Sequence, residues 1–196
     1  PGECSGELIV DGVDAPKSSI FQLSAYVGTV LQDPDGQFIG LTVGEDIAFA
    51  LENSCMPQDE MHEITRHAAE LVGIQDHLDY APHELSGGQK QRLSIARAIA
   101  KHPKIYLFDD SFSALDYKTD VALRRALKAE TGDATVIIVA QRISTVLHAN
   151  QILVLEDGRI VGKGTHAQLM ESCPAYQEIA RSQLSNKELD LKGGEA

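Results

Sequence analysis

Eight residues, Leu85-Ser-Gly-Gly-Gln-Lys-Gln-Arg92, constrain the fold of this chain more than any other segment. They place a hydroxyl and two glycines at the start of a predicted helix that runs from Gln89 to about His102. Glycines let phosphate oxygens approach the backbone, and the free amides and positive end of a helix attract anions. A Ser N-cap with a glycine turn would explain Ser-Gly-Gly alone. The full octet, followed by an apolar strand, predicts an anion-binding helix.

Two continuous apolar runs, Ile105–Phe108 and Thr135–Val139, predict strands that are buried on both faces. Thr119–Glu130 between them has a helical pattern, and Ala25–Leu31 predicts a further strand. A strand–helix–strand unit is typical of a parallel sheet. The sequence therefore predicts an α/β fold.

Two carboxylates, Asp109 and Asp110, follow the first of these strands directly. Ligands bind α/β sheets at the carboxyl ends of the strands, where a carboxylate can hold Mg²⁺ through water. An isolated Asp-Asp fits a polar strand end about as well. The Ser113-Ala-Leu-Asp116 segment that follows favours the ligand-binding interpretation, because the order of the segments is specific.

The rest of the chain predicts short elements separated by turn residues. A strand over 6–12 ends in an Asp-Gly turn, and Glu156-Asp-Gly158 joins the two strands of a hairpin. His166 opens a helix after Thr165, where we expect it to help capping rather than chemistry. The predicted helices are Val43–Leu51, Gln58–Val72, Thr165–Met170 and Ala175–Gln183, and a polar tail follows Leu184.

Charge and composition exclude some classes of function. The net charge of −12 argues against a nucleic-acid partner, since neutralising phosphates requires clustered Lys and Arg. The three scattered cysteines form no metal-ligand pair and suit a reducing compartment. No apolar run reaches the length of a membrane span. We therefore expect a cytoplasmic chain, or one at the cytoplasmic face of a membrane when other chains supply the spans.

LSGGQKQR, IYLFDD and SALD, in that order, resemble the ATPase subunit of ATP-binding cassette (ABC) transporters over nearly the whole chain. The resemblance implies ATP and Mg²⁺ as cofactors. It also implies a second ATPase subunit, in a homo- or heterodimer, and a transmembrane subunit as partners. Two subunits of this family sandwich ATP between the phosphate-binding loop (P-loop) of one and the signature segment of the other.

Roles then follow by position. Gln32 matches the glutamine that contacts Mg²⁺ and the attacking water, and Asp109 matches the Mg²⁺-binding aspartate. Asp116 belongs to the loop at the dimer interface, and Gln141 occupies the switch position near the γ-phosphate. The signature segment, which contacts the γ-phosphate of ATP held by the opposite subunit, is represented by Ser86, Gly87, Gly88 and Gln89.

The resemblance also implies a division of the chain. A P-loop NTPase-like parallel sheet core would comprise residues 1–32 and 104–184, with a helical subdomain over 33–103 and a tail over 185–196. The P-loop pattern G-x-x-x-x-G-K-[ST] occurs nowhere in the sequence, and Gly162-Lys163 lies in the wrong context. We therefore expect the N-terminal strand and P-loop helix to be missing from this fold. Weak ATP binding, an unpaired strand edge and either a covering partner or low stability would follow.

Two further departures concern the catalytic positions. Asp110 replaces the family's usual glutamate base and is one methylene shorter, a misplacement that costs on the order of 100-fold in rate. Gln141 replaces a histidine and cannot bear a positive charge. Together they resemble the slow-hydrolysing site of heterodimeric ABC exporters, although chance substitution would explain either alone. We expect little or no hydrolysis by the isolated chain.

The two halves resemble different branches of the family. The segment 32–47 is similar to the ATPases of energy-coupling and cobalt importers, whereas Ser94–Ile99 and Ser111–Asp116 are similar to exporters. A recombined or composite chain and a natural intermediate are both open interpretations. The leading functional hypothesis is a transporter ATPase domain that completes a partner's ATP site. The alternative is a non-catalytic module that docks a membrane subunit.

Overall fold

The computed structural model of the protein describes residues 6–113, 115 and 117–184. They form two compact units, which divide between Val139 and Ala140. None of the helices in these ranges is both long enough and apolar enough to span a membrane.

A three-stranded parallel sheet is the centre of the first unit. Its strands are β3 (Val27–Val30), β4 (Ile105–Asp109) and β5 (Thr135–Val139), in the order β3-β4-β5. Before them, β1 (Ile9–Val10) and β2 (Val13–Asp14) form an antiparallel pair. The predicted α/β fold with a parallel sheet is therefore confirmed.

The helices of the first unit surround one apolar core. All four helices predicted for this unit, Val43–Leu51, Gln58–Val72, Gln89 to about His102 and Thr119–Glu130, agree with the structure to within two residues, whereas the helix Ile20–Ser24 was not predicted. Its capping box, Ser19 with Gln22, gave a local signal for it. The helices are α1 (Ile20–Ser24), α2 (Val43–Asn53), α3 (Gln58–Val72), α4 (Gly87–Ala100) and α5 (Tyr117–Thr131).

The prediction that two strands are buried on both faces is wrong. In β4 buried and half-buried residues alternate, and the buried ones, Tyr106 and Phe108, pack in the same core as side chains of α2 to α5. In β5, Val136, Ile137 and Val139 are 40%, 48% and 52% exposed. Within the described residues β5 pairs with β4 alone, so it is an outer strand whose apolar side chains reach solvent. Apolar character indicated the strands correctly but did not show which faces are covered.

The loop between β3 and α2 is fixed to the start of α2. The carboxylate of Asp46 is fully buried and accepts hydrogen bonds from the amides of Ile39 at 2.8 Å and Gly40 at 3.0 Å. A Cβ at Gly40 would lie 2.5 Å from the Asp46 nitrogen, so only glycine fits there. This loop carries the residues that follow Gln32 along the chain.

The second unit consists of a hairpin and three helices. Strands β6 (Ile152–Glu156) and β7 (Arg159–Gly164) are antiparallel, as predicted, and Asp157 and Gly158 turn the chain with φ of 48° and 75°. The helices are α6 (Ile143–Val146), α7 (His166–Ser172) and α8 (Pro174–Gln183). Only α6 was not predicted, because four residues give too little periodicity to recognise.

The expectation that His166 helps capping is wrong. Thr165 is the N-cap of α7 and forms a capping box with Gln168. The His166 side chain is instead buried, with Nδ1 2.9 Å from the hydroxyl of Tyr176 in α8. A polar residue next to an N-cap faces inward here because the first turn of α7 packs on α8.

Candidate functional site

The signature segment begins α4 with a reciprocal pair of hydrogen bonds. Ser86 is the N-cap, and its hydroxyl accepts from the Gln89 amide at 3.4 Å. The side-chain oxygen of Gln89 accepts from the Ser86 amide at 2.8 Å. This capping box fixes the backbone of the first turn. The structure therefore brings together the four predicted residues Ser86, Gly87, Gly88 and Gln89.

Gly87 is not required by packing. It is exposed, and a Cβ built on it would meet no atom within 4 Å. The N–H groups of the first helical residues have no acceptor within an α-helix and point along its axis, where the helix end is positive. An exposed helix start with open space above a glycine fits the requirements of a phosphate group.

Gln32 and Asp109 lie at the ends of neighbouring parallel strands. Gln32 is exposed and follows β3, and Asp109 is the last residue of β4. Val30 pairs with Phe108, so the two chain ends leave the sheet at the same edge. Amide and carboxylate oxygens are the donors that Mg²⁺ prefers, and the donor set therefore fits this ion.

Ser111 joins these two strand ends. Its side chain is fully buried and donates to the carbonyl oxygen of Val30 at 3.0 Å, with the carbonyl oxygen of Asp109 at 3.2 Å. No role was predicted for this serine. A small hydroxyl residue directly after two strand-end carboxylates is the only signal that could have indicated it.

Asp110 has a left-handed backbone, with φ of 44°. Its amide donates to the Val139 carbonyl at 3.0 Å, and its own carbonyl accepts from the Ser113 hydroxyl at 2.9 Å. Aspartate tolerates this conformation better than most residues. The backbone at Asp110 thus turns sharply away from β4 while one more hydrogen bond to β5 is kept.

The other two predicted positions are placed differently. Gln141 belongs to the second unit, two residues after β5, where it is exposed and its carbonyl accepts from the Gln183 side chain at 3.0 Å. Asp116 lies outside the described residues. The predicted catalytic and binding roles of all these residues stay predictions.

The loop after Gln32 is attached to the signature helix. Lys90 of α4 forms an ion pair with Asp35 at 2.5 Å. A surface cavity of about 450 Å³ adjoins this pair, and its lining includes Phe38, Leu41 and Pro82. Leu41 is 81% exposed, so the cavity wall presents apolar surface to solvent. The side chains that follow Gln32 therefore form one surface with the start of α4.

Comparison with known proteins identifies the family. The sequence pattern described as "ABC transporter" matches residues 2–113. A putative ABC transporter ATP-binding protein of Photobacterium profundum is 46% identical over 98% of this chain. The chain belongs to the ABC transporter family. The predicted resemblance is confirmed, and the P-loop NTPase-like fold with it.

Other members of the family are also similar to this chain. A putative ABC transporter ATP-binding protein of Clostridium perfringens is 41% identical over 87% of the chain. The solved structure of a bacterial Atm1-family ABC exporter with ATP bound superimposes with a TM-score of 0.80, at 31% identity and over 92% of the chain. The ABC chain spans only about a third of the length of these proteins, 35% of the Photobacterium relative and 33% of the exporter.

The similarity to the Photobacterium relative extends over 98% of this chain, and so over both halves. The composite chain and the natural intermediate both stay hypotheses.

Proposed function

We propose that this ABC chain is an ATP-binding domain that couples ATP binding and hydrolysis to membrane transport. Its signature segment would contact the γ-phosphate of ATP held by a second ATPase subunit. One observation carries this proposal. The start of α4 is exposed and fixed by its capping box, and it leaves the space above Gly87 open. A phosphate from another molecule can reach such a helix start, whose partial positive charge stabilises it.

Gln32 and Asp109 are the proposed Mg²⁺ ligands. When bound, the ion would neutralise charge on the phosphates of the nucleotide. Ser111 would keep the two strand ends at a fixed separation, because its hydroxyl contacts both. The helical segment 33–103 and the sheet segments on either side of it are the proposed subdomains.

Hydrolysis is proposed to be slow. Asp110 would act as the general base and Gln141 as the switch residue. The shorter side chain of Asp110 places its carboxylate about an ångström from the position of a glutamate, and a neutral Gln141 amide can donate a hydrogen bond but no charge. Slow hydrolysis is therefore expected, and weak ATP binding by the 196-residue chain is expected because its sequence contains no P-loop pattern.

A membrane subunit is the second proposed partner. The cavity beside Lys90 and Asp35 is lined in part by apolar side chains, and Ile39 and Leu41 on the adjacent loop are 66% and 81% exposed. Apolar side chains gathered on a polar surface mark protein contacts. This observation also favours the alternative function, a non-catalytic module that docks a transporter at the cytoplasmic face of a membrane.

A pull-down with and without ATP separates the two functions. The bait is an ABC ATPase subunit that carries the P-loop pattern. Association that requires ATP and Mg²⁺ supports the ATPase-domain function, whereas association indifferent to nucleotide favours the docking module. A micromolar dissociation constant for ATP with the isolated chain would contradict the expected weak binding.

A further inference from the structure

His77 contacts the signature segment from outside it. It is the last residue of a short 3-10 helix, Gln75–His77, which precedes α4 by several residues. Its Nε2 lies 2.8 Å from the side-chain nitrogen of Gln89, and both side chains are half-buried. No motif of the family drew attention to this histidine in the sequence.

The direction of this hydrogen bond follows from the capping box. The Gln89 side-chain oxygen already accepts from the Ser86 amide, so its NH₂ group faces His77 and must donate. Nε2 is then the acceptor, and the ring proton is on Nδ1. Within the described part of the chain Nδ1 is buried and lacks a hydrogen-bond partner. An unpaired buried N–H group costs free energy, and the ring is nevertheless oriented so that Nε2 accepts from Gln89.

The segment that carries His77 is itself held in place. The carbonyl of Leu78 accepts from the Gly44 amide, and that of Tyr80 accepts from the Val43 amide, each at 2.9 Å. The His77 ring also contacts the Tyr80 ring edge-to-face, with centroids 5.1 Å apart. Through these contacts His77 is attached to the beginning of α2.

We propose that His77 is a positioning residue, which holds the Gln89 amide and, through it, Ser86 in the arrangement that presents the first turn of α4 to a nucleotide. The nucleotide part of this proposal rests on the proposed function. The positioning part stands on the chain alone, because it concerns hydrogen bonds within it. If the Gln89 amide lost its acceptor, the side chain would no longer be restricted to the rotamer that caps Ser86.

Two substitutions of similar shape test the hydrogen bond. His77→Gln keeps an oxygen that can accept from Gln89, and His77→Met has no comparable acceptor. His62→Met is the matched control, because His62 is exposed on α3 and its Nε2 lies 3.5 Å from the side-chain nitrogen of Gln58 in the same helix. The readout is hydrogen exchange of the Ser86 and Gln89 amides by NMR in the 196-residue chain without nucleotide.

We expect His77→Met to raise the hydrogen-exchange rates of both amides about fivefold, which is the usual effect of one lost hydrogen bond. His77→Gln and His62→Met should change it less than twofold. Equal effects of the Met and Gln variants, or no effect of either, would overturn the proposal. If the Met variant does not fold, the ¹⁵N chemical shifts of the wild-type His77 ring provide the test. A proton on Nε2 rather than on Nδ1 would contradict the proposed hydrogen bond from Gln89.

ATP-dependent association with the P-loop-bearing partner gives the functional readout. His77→Met should weaken it about fivefold and His77→Gln should restore it. If exchange changes as expected but wild-type association does not depend on ATP, the proposed function fails and the positioning role stands. If association is ATP-dependent and exchange does not respond, the positioning role is wrong.

Discussion

Arg97 of α4 donates a hydrogen bond to the carbonyl oxygen of Gln37 at 2.6 Å, and a second to the side-chain oxygen of the same residue at 3.2 Å. The guanidinium also lies 3.5 Å from the buried carboxylate of Asp46. The loop that follows Gln32 is thus attached to the helix that the signature segment begins.

Replacing Arg97 by Leu should lower the free energy of unfolding by about 2 to 3 kcal/mol, because the buried Asp46 carboxylate loses its cation and Gln37 loses its donor. Urea unfolding followed by circular dichroism measures this. Lys17→Ala is the control, since Lys17 pairs with Asp14 on the surface and such pairs contribute about 0 to 1 kcal/mol. Similar losses for the two variants would contradict the assigned role of Arg97.

Glycine at position 87 should matter for binding but not for folding. Gly87→Ala meets no atom, so the free energy of unfolding should change by less than about 0.5 kcal/mol, while ATP-dependent association weakens as the methyl group occupies the phosphate's approach. Gly40→Ala is the matched comparison. Its Cβ would lie 2.5 Å from backbone, and we expect a loss of roughly 1 to 3 kcal/mol. A destabilised Gly87→Ala protein would show that this glycine serves packing.

Acid should destabilise the second unit through His166. Burial lowers the pKa of His166, and His148 lowers it further. The unfolded state then binds the proton more tightly, so the neutral ring stabilises the fold above the ordinary pKa of about 6.5, and this contribution is lost as the pH falls through the lowered value. Unfolding in urea between pH 8 and pH 5 should show a smaller pH dependence in His166→Asn. His83→Asn, on the surface, should behave as wild type.

Ionisation of Tyr176 should lower the stability of the same unit at alkaline pH. Burial raises its pKa to about 12. The neutral phenol stabilises the folded state fully below the ordinary pKa of about 10, and this contribution is lost as the pH rises toward 12. Tyr176→Phe should reduce the loss of stability over that interval. An unchanged alkaline transition in this variant, followed by circular dichroism, would assign the transition to other groups.

The exposed face of β5 should promote self-association. Ile137→Lys replaces a half-exposed apolar side chain by a charge, so light scattering should decrease while the free energy of unfolding changes by less than about 1 kcal/mol. Its neighbour Ile138 packs against the core, and Ile138→Lys should cost more than about 2 kcal/mol. Equal scattering from wild type and Ile137→Lys would show that this face does not drive aggregation.

Local signals predicted much of this fold and site. The glycines and capping residues of 86–89 determine a helix start by themselves, and the apolar run 105–108 determines a strand. Burial was not predictable in the same way. Ile137 is an apolar residue whose side chain is nevertheless exposed, because elements far along the chain determine which face of a sheet is covered.

The same limit applied to contacts between distant residues. Nothing near His77 in sequence indicates Gln89, twelve positions away, and nothing near Arg97 indicates Gln37, sixty positions away. These contacts depend on how segments far apart in sequence pack together, which local patterns do not indicate. The contacts of Ser111 with Val30 and of His77 with Gln89 were therefore missed.

The most direct test of the proposed function is the ATP-dependent association of wild type and Ser86→Arg with a P-loop-bearing ABC ATPase subunit, measured by sedimentation velocity. A large cation in place of the N-cap removes the capping hydroxyl and fills the exposed helix start. We expect the wild type to associate only with ATP and Mg²⁺ present, and Ser86→Arg to form a complex at least tenfold weaker. Association of both proteins with equal affinity, whether or not ATP is present, would contradict it.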